Sequence, residues 1–282
     1  MTELPQFPGP KRRGRPPKRP KAGAPPPPQL ALDIARALDP TSIAQDVGLE
    51  QLDPWQARLI DAPPKRLLAC CGRQVGKSTM AAVCALNTIM YQAPATVVLV
   101  SPSLRQSVEL FRTFHGMWQS LPNRPEAAYE TLQRLELANG SRVISLPGSE
   151  RTVRGLASVD LIVIDEAARV EDELLAAVRP MLAISDGSLF ALTTPAGKRG
   201  WFYEQWLHGV GWSRISIKST ECPRISQEFL DQEREQLGPL IFSQEYECQF
   251  HDEVGAAFLT ELIEAAFVAD FPPFLPVPRA SA

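Results

Sequence analysis

The chain has no run of about eighteen or more apolar residues, the length a helix needs to cross a bilayer. No hydrophobic stretch follows the charges at its N-terminus, as a secretory signal would require. Together these absences exclude a membrane span and export, so a cytoplasmic protein with no membrane partner is expected. Histidine is scarce: His115, His208 and His251 stand far apart and at no ligand spacing from the cysteines, which leaves no zinc motif. The five cysteines, Cys70, Cys71, Cys84, Cys222 and Cys248, form an odd set. Their one close pair is adjacent, and neighbours on a strand point to opposite faces, so a disulfide framework is not expected. No self-similarity recurs at a period of roughly 20–50 residues, which excludes a solenoid.

What is present is enough for one substantial core, in 282 residues of which 44% are hydrophobic. The net charge of −3 hides an asymmetry. Seven of the 29 basic side chains (Lys11, Arg12, Arg13, Arg15, Lys18, Arg19 and Lys21) lie in the first 21 residues against one acid, Glu3, which leaves the rest at 22 basic against 31 acidic. A cationic arm on an acidic body implies an anionic partner for the arm. Residues 1–28 are Pro-rich and carry little to bury, so they cannot offset the entropy of ordering and are expected to be a disordered arm. Within it, Arg13-Gly14-Arg15-Pro16 resembles the core of an AT-hook, in which two arginines follow a narrow A·T-rich minor groove. The alternative is a solvated tail that touches DNA generally or nothing in particular.

After the arm, Leu30, Ile34, Ala37 and Leu38 have the spacing of a short helix, and Asp53-Pro54 reads as a turn before Trp55-Gln56. Strands are predicted at Arg66–Cys71, Val97–Ser101, Arg142–Leu146, Leu161–Asp165, Leu189–Thr193 and Arg214–Ile217. Several are continuous apolar runs, as in a parallel sheet buried on both faces, so a doubly wound α/β domain is expected over 29–220. Ligands then belong at the C-terminal ends of its strands. Beyond Thr220 the pattern turns helical, at Glu228–Gln236, Leu240–Tyr246 and Thr260–Phe267. That predicts a small helical C-terminal subdomain over 221–270, followed by a Pro-rich tail or linker at 271–282.

One strand runs into a phosphate-binding signature. Gly72-Arg73-Gln74-Val75-Gly76-Lys77-Ser78-Thr79 follows Leu67–Cys71 and opens an Ala-rich helix over Met80–Tyr91. In such a loop the backbone N–H groups cradle phosphates and Gly76 lets them approach. Lys77 reaches the β- and γ-phosphates of ATP, and the Ser78 hydroxyl binds Mg²⁺. The pattern departs from the standard one at Cys71, where glycine is usual, with Gly72 one step later. About 90 residues downstream, Leu161-Ile162-Val163-Ile164-Asp165-Glu166 is an apolar strand ending in two acids. Asp165 suits the Mg²⁺ shell, and Glu166 suits the water that attacks the γ-phosphate. The fold expected is therefore a P-loop NTPase of the ASCE/RecA-like kind, with a mainly parallel sheet covered by helices on both faces.

The loop Gly72–Ser78, with Arg-Gln before Gly-Lys-Ser, resembles the deviant Walker A of phage terminase large subunits. Trp55-Gln56 is similar to that family's adenine-contacting Q motif. Thr152-Val153-Arg154-Gly155 and Leu192-Thr193-Thr194-Pro195 are similar to its elements before and after Walker B. Phe242–Phe250 is similar to the stretch that closes the ATPase region. The resemblance runs from about Leu52 to Phe258. It implies that Arg73 acts in cis on the γ-phosphate, that Arg154 is a finger offered to a neighbouring subunit's nucleotide, and that Gln56 reads adenine while Trp55 stacks or fills the core. It further implies that Thr193 and Thr194 couple hydrolysis to the rest of the domain. The implied partners are double-stranded DNA, a portal protein, a small terminase subunit and other copies in a ring on the portal.

Full-length members of that family add a nuclease domain with metal-binding carboxylates. Asp252, Glu253, Glu261, Glu264 and Asp270 lie on a helix-and-tail pattern, so no nuclease site is assigned, and a separately encoded nuclease or a truncated gene would account for this. Two rivals stay open. A superfamily-2 helicase or related DNA translocase would need a second RecA-like domain, and a non-catalytic DNA-binding adaptor would keep the fold and use the basic arm as its working part.

Overall fold

In the computed structural model the described residues are 38–252, except 123, 150–152 and 154, together with 31, 34 and 36. The arm, Thr152, Arg154, the segment Thr260–Phe267, the tail and the acids from Glu253 onward lie outside them. Residues 31, 34, 36 and 38 are helical. From Asp39 onward the described residues form one compact unit.

That unit opens with helices α1 (Ser42–Asp46) and α2 (Pro54–Asp61), strand β1 (Arg66–Cys71) and helix α3 (Lys77–Tyr91). Strand β2 (Thr96–Ser101), helix α4 (Leu104–Ser120) and strands β3 (Ala127–Glu130), β4 (Arg134–Leu137) and β5 (Arg142–Pro147) follow. The second half holds β6 (Leu161–Asp165), α5 (Glu173–Val178), β7 (Ser188–Thr193), α6 (Gly200–His208), β8 (Ser213–Ile217) and α7 (Gln227–Glu247). Asp53-Pro54, expected to be a turn, instead starts α2. Proline is tolerated at a first helical position, where its missing N–H has no intrahelical partner anyway.

All eight strands form one sheet in the order β3-β4-β5-β2-β6-β7-β1-β8. The run from β5 to β8 is parallel, and β3 and β4 join the far edge antiparallel. Strand alternation sorts the core into two layers. Leu67, Ala69, Val97, Leu99, Leu161, Val163, Phe190 and Leu192 face the cluster built with α3 and α4. Their neighbours Leu68, Val98, Val100, Ile162, Ile164, Leu189 and Ala191 face α5 and α6, where Leu174, Val178, Trp201 and Phe202 close the opposite layer. Burial on both sides explains why these strands read as unbroken apolar runs. Three alanines, Ala81, Ala82 and Ala85, and other small residues on α3 let it lie close against the sheet, and most of its side chains are buried.

Helix α7 is broken at Gly238 (φ 74°, ψ 165°), directly before Pro239, so its halves match the two segments expected from sequence. Proline cannot donate to the preceding turn, and glycine takes the left-handed backbone at no steric cost. Leu230, Phe242 and Tyr246 from the two halves pack into a small cluster of their own.

Candidate functional site

The strand order decides where the chemistry meets. β7 lies between β1 and β6 and runs parallel to both, so all three deliver their C-terminal ends to one rim of the sheet. β1 ends in the loop that leads to α3, β6 ends at Asp165-Glu166, and β7 ends at Thr193. Ser78 Oγ donates to Asp165 Oδ2 at 3.0 Å, and Lys77 Nζ pairs with Glu166 Oε1 at 2.9 Å.

The loop bends where its sequence permits. Gly76 has φ 90° and caps α3, so the first-turn N–H groups of that helix open onto a cleft of about 490 Å³. Gln74, Gly76, Lys77, Ser78 and Thr79 line it. Leu49, Leu52, Gln56 and Arg224 also line it. Gln56 is buried, and its Oε1 accepts the Asp53 N–H at 2.9 Å. That bond orients the amide so that Nε2 lies 3.1 Å from where a Cβ on Gly76 would stand. Trp55 is partly buried and packs against the core. Val75 is fully buried, and its carbonyl accepts Arg224 Nη2 at 3.2 Å.

Gly72 accounts for the displaced glycine of the motif. Cys71 is the last paired residue of β1, opposite Ile217, and is fully buried. The next residue must clear the segment after β8 and the end of α7: a Cβ on Gly72 would stand 2.8 Å from both the Ser219 N and the Tyr246 O. The loop is stapled there by Gly72 N–H to Ile217 O and Arg73 N–H to Glu245 O, each at 2.8 Å, and by Ser219 Oγ to Arg73 O at 2.6 Å.

Electrostatics set the protonation pattern. Burial alone would depress the Lys77 ammonium, but the carboxylates of Glu166 and Asp165 outweigh it and raise its pKa. Asp165 moves upward, because burial and the neighbouring Glu166 outweigh Lys77 and Ser78. Glu166 moves downward despite its burial, since Lys77, Arg169 and Thr194 all favour its ionised form. Two non-glycine residues of the site, Gln74 (φ 63°) and Glu166 (φ 54°), hold left-handed backbone. Such conformations cost roughly 1–3 kcal/mol each and persist where surrounding contacts enforce them.

Sequence reading missed three side chains. Arg169 Nη1 donates to Glu166 Oε2 at 2.5 Å and to Thr194 Oγ1 at 2.9 Å, and its Nη2 lies 3.6 Å from Glu245 Oε1. Glu245 is buried and accepts Arg73 Nε at 2.7 Å, which is where the structure places the Arg73 side chain. Arg224 pairs with Asp53 at 2.7 Å and lines the cleft together with Gln56. Thr193 and Thr194 are both buried, and Thr193 Oγ1 accepts the Ala168 N–H at 3.2 Å. Arg154 cannot be placed, since it lies outside the described residues.

The sequence model of the family described as "Terminase large subunit, T4likevirus-type, N-terminal" matches residues 68–265. The chain belongs to that family. The large terminase subunit of Thermus virus P23-45 is 29% identical over 168 residues, which are 52% of this chain and 34% of that protein. The chain thus spans about a third of the length of this curated relative. Among solved structures, the large terminase ATPase domain of Thermus phage P74-26 superposes with a TM-score of 0.63 at 23% identity, covering 76% of this chain and 99% of that one. The large terminase of bacteriophage HK97 gives 0.58 at 16% identity, covering 71% of this chain and 51% of that one. At those identities the likeness establishes the fold, a P-loop NTPase with a mostly parallel sheet, as read from sequence.

Proposed function

We propose that this chain is the ATP-hydrolysing part of a large terminase, and that it drives double-stranded DNA into a procapsid. The observation that carries the proposal is the meeting of Lys77 and Ser78 with Glu166 and Asp165 across 2.9 and 3.0 Å. The donor set fits a magnesium-nucleotide: the Ser78 hydroxyl and Asp165 carboxylate are hard oxygen ligands suited to Mg²⁺. When bound, that ion would neutralise charge on the β- and γ-phosphates.

The protein's own groups then divide the work. Loop amides and the start of α3 hold the phosphates, and Lys77 turns from Glu166 to the β- and γ-oxygens. Glu166 orients a water for in-line attack on the γ-phosphorus, giving ADP and inorganic phosphate. Arg73 is the in-cis arginine of this scheme and would exchange Glu245 for the γ-phosphate. Gln56 offers its amide to the adenine edge. Thr194, beside Glu166 at 3.4 Å, is where loss of the γ-phosphate would be felt. Arg154, by its place in the motif order, would serve a neighbouring subunit in a ring on the portal. In that ring the subunits would pass DNA along its phosphate backbone without base readout, with the portal protein and the small terminase subunit as partners. The setting is the bacterial cytoplasm, and among the described residues no helix is long and apolar enough to cross a membrane.

The test is ATP turnover by the full chain with and without linear duplex DNA, at several salt concentrations. Turnover that requires Mg²⁺ and rises with duplex supports the proposal. A protein that binds duplex yet hydrolyses no ATP is an adaptor, and strand separation would favour a helicase.

A further inference from the structure

We infer that Arg169 is a positioning residue for ATP hydrolysis, holding the Glu166 carboxylate between Thr194 and the α7 carboxylate Glu245; this rests on reading the site as an ATPase. Cations and carboxylates alternate from Lys77 to Glu166, Arg169, Glu245 and Arg73, at separations of 2.9, 2.5, 3.6 and 2.7 Å. The series starts and finishes on the phosphate-binding loop. Lys77 and Arg73 are the two members that the proposed chemistry sends to phosphate, and each carboxylate then loses its loop-borne cation. Arg169 is the remaining member, the one that touches both carboxylates from outside the loop.

Its chemistry and its backbone suit that role. A guanidinium offers several N–H donors in a fixed planar fork and can bond two carboxylates at once, which a single ammonium on a flexible stem does less well. The turn that carries it is pinned from both ends, by Arg169 N–H to Glu166 O at 2.9 Å and by Ala168 N–H to Thr193 Oγ1 at 3.2 Å. Glu166 sits in left-handed backbone just past the end of β6, where neither strand nor helix geometry dictates the direction of its side chain. An external tie is needed to hold its carboxylate towards the water, and Arg169 and Thr194 Oγ1 both bond the same oxygen, Oε2.

The experiment compares steady-state ATP turnover and equilibrium binding of a non-hydrolysable ATP analogue in the full chain and its R169A and R169K variants. R169A should lower kcat by roughly 10- to 100-fold, the scale of an ångström-sized misplacement. The KM for ATP and analogue binding should stay within about twofold of wild type, since the lost interaction concerns the reacting water rather than the nucleotide. R169K should fall between the two. A wild type without turnover overturns the ATPase reading and this inference with it. An active wild type whose R169A variant keeps kcat within about twofold overturns this inference alone. So does a loss of analogue binding in step with kcat, which would mark a structural role. Should R169A fail to fold, R169K decides, because wild-type kcat in that variant contradicts the need for a forked donor.

Discussion

Ser78 Oγ and Asp165 Oδ2 stand 3.0 Å apart although 87 positions separate them in the chain. The insertion of β7 between β1 and β6 brings this about, because three parallel strands finish on one rim and the bend after β1 swings α3 across it. The same rim gathers Lys77, Glu166, Thr193 and Thr194, so the residues proposed to hydrolyse ATP and those proposed to couple hydrolysis share one rim of the sheet. On the far side of the loop, Gly72 and Arg73 touch the end of α7 and the segment after β8. A change at the phosphates therefore has a short, packed route to the C-terminal helix.

That route makes Gly72 sensitive to any side chain. Replacing it with alanine places a methyl 2.8 Å from backbone atoms of both Ser219 and Tyr246, so the backbone has to move. Overpacking of this kind costs about 1–3 kcal/mol. Urea unfolding of G72A should show a loss of that size with an unchanged m-value, and a stability equal to wild type would mean that the loop and α7 are not in contact.

Tyr246 gives the closing helix a pH signature. Its phenol is pushed up to about 12, first by burial and then by the O–H it donates to Glu233 Oε2 at 2.7 Å. The unfolded chain loses the same proton near pH 10, so the folded state favours the protonated phenol. Stability from this group is complete below about pH 10 and is lost as pH rises towards 12. The difference in unfolding free energy between wild type and Y246F should therefore shrink from pH 9 to pH 11. A constant difference over that range would contradict the buried, Glu233-bonded phenol.

Most of the parallel sheet was legible because burial on both faces leaves little choice but apolar side chains. Leu67–Cys71 and Leu161–Asp165 are the clearest cases, and their strands fall where expected. The β3–β4 hairpin was not. Ala127–Glu130 is an edge strand with mostly exposed side chains, so no apolar run marks it. The loop residues and the two acids could be read because their motifs are local. Arg169 and Glu245 could not, since their significance comes from each other and from Arg73, 172 positions away from Glu245. The three-residue step from Glu166 to Arg169 was the one local hint, because a tight helical turn sets such residues on the same side. Gly72 was assigned to the nucleotide from its motif, and the structure gives it a further reason, the close approach of Ser219 and Tyr246.

The central claim is that one site, made by Lys77, Ser78, Asp165 and Glu166, both binds and hydrolyses ATP. Its most direct test is ATP turnover at saturating ATP and Mg²⁺ for wild type and E166A, with nucleotide affinity measured on the same samples. E166A should lose at least about 100-fold in turnover, the scale of a missing acid–base group, while still binding nucleotide. Equal turnover in the two proteins, or a wild type that binds no ATP, would contradict the account.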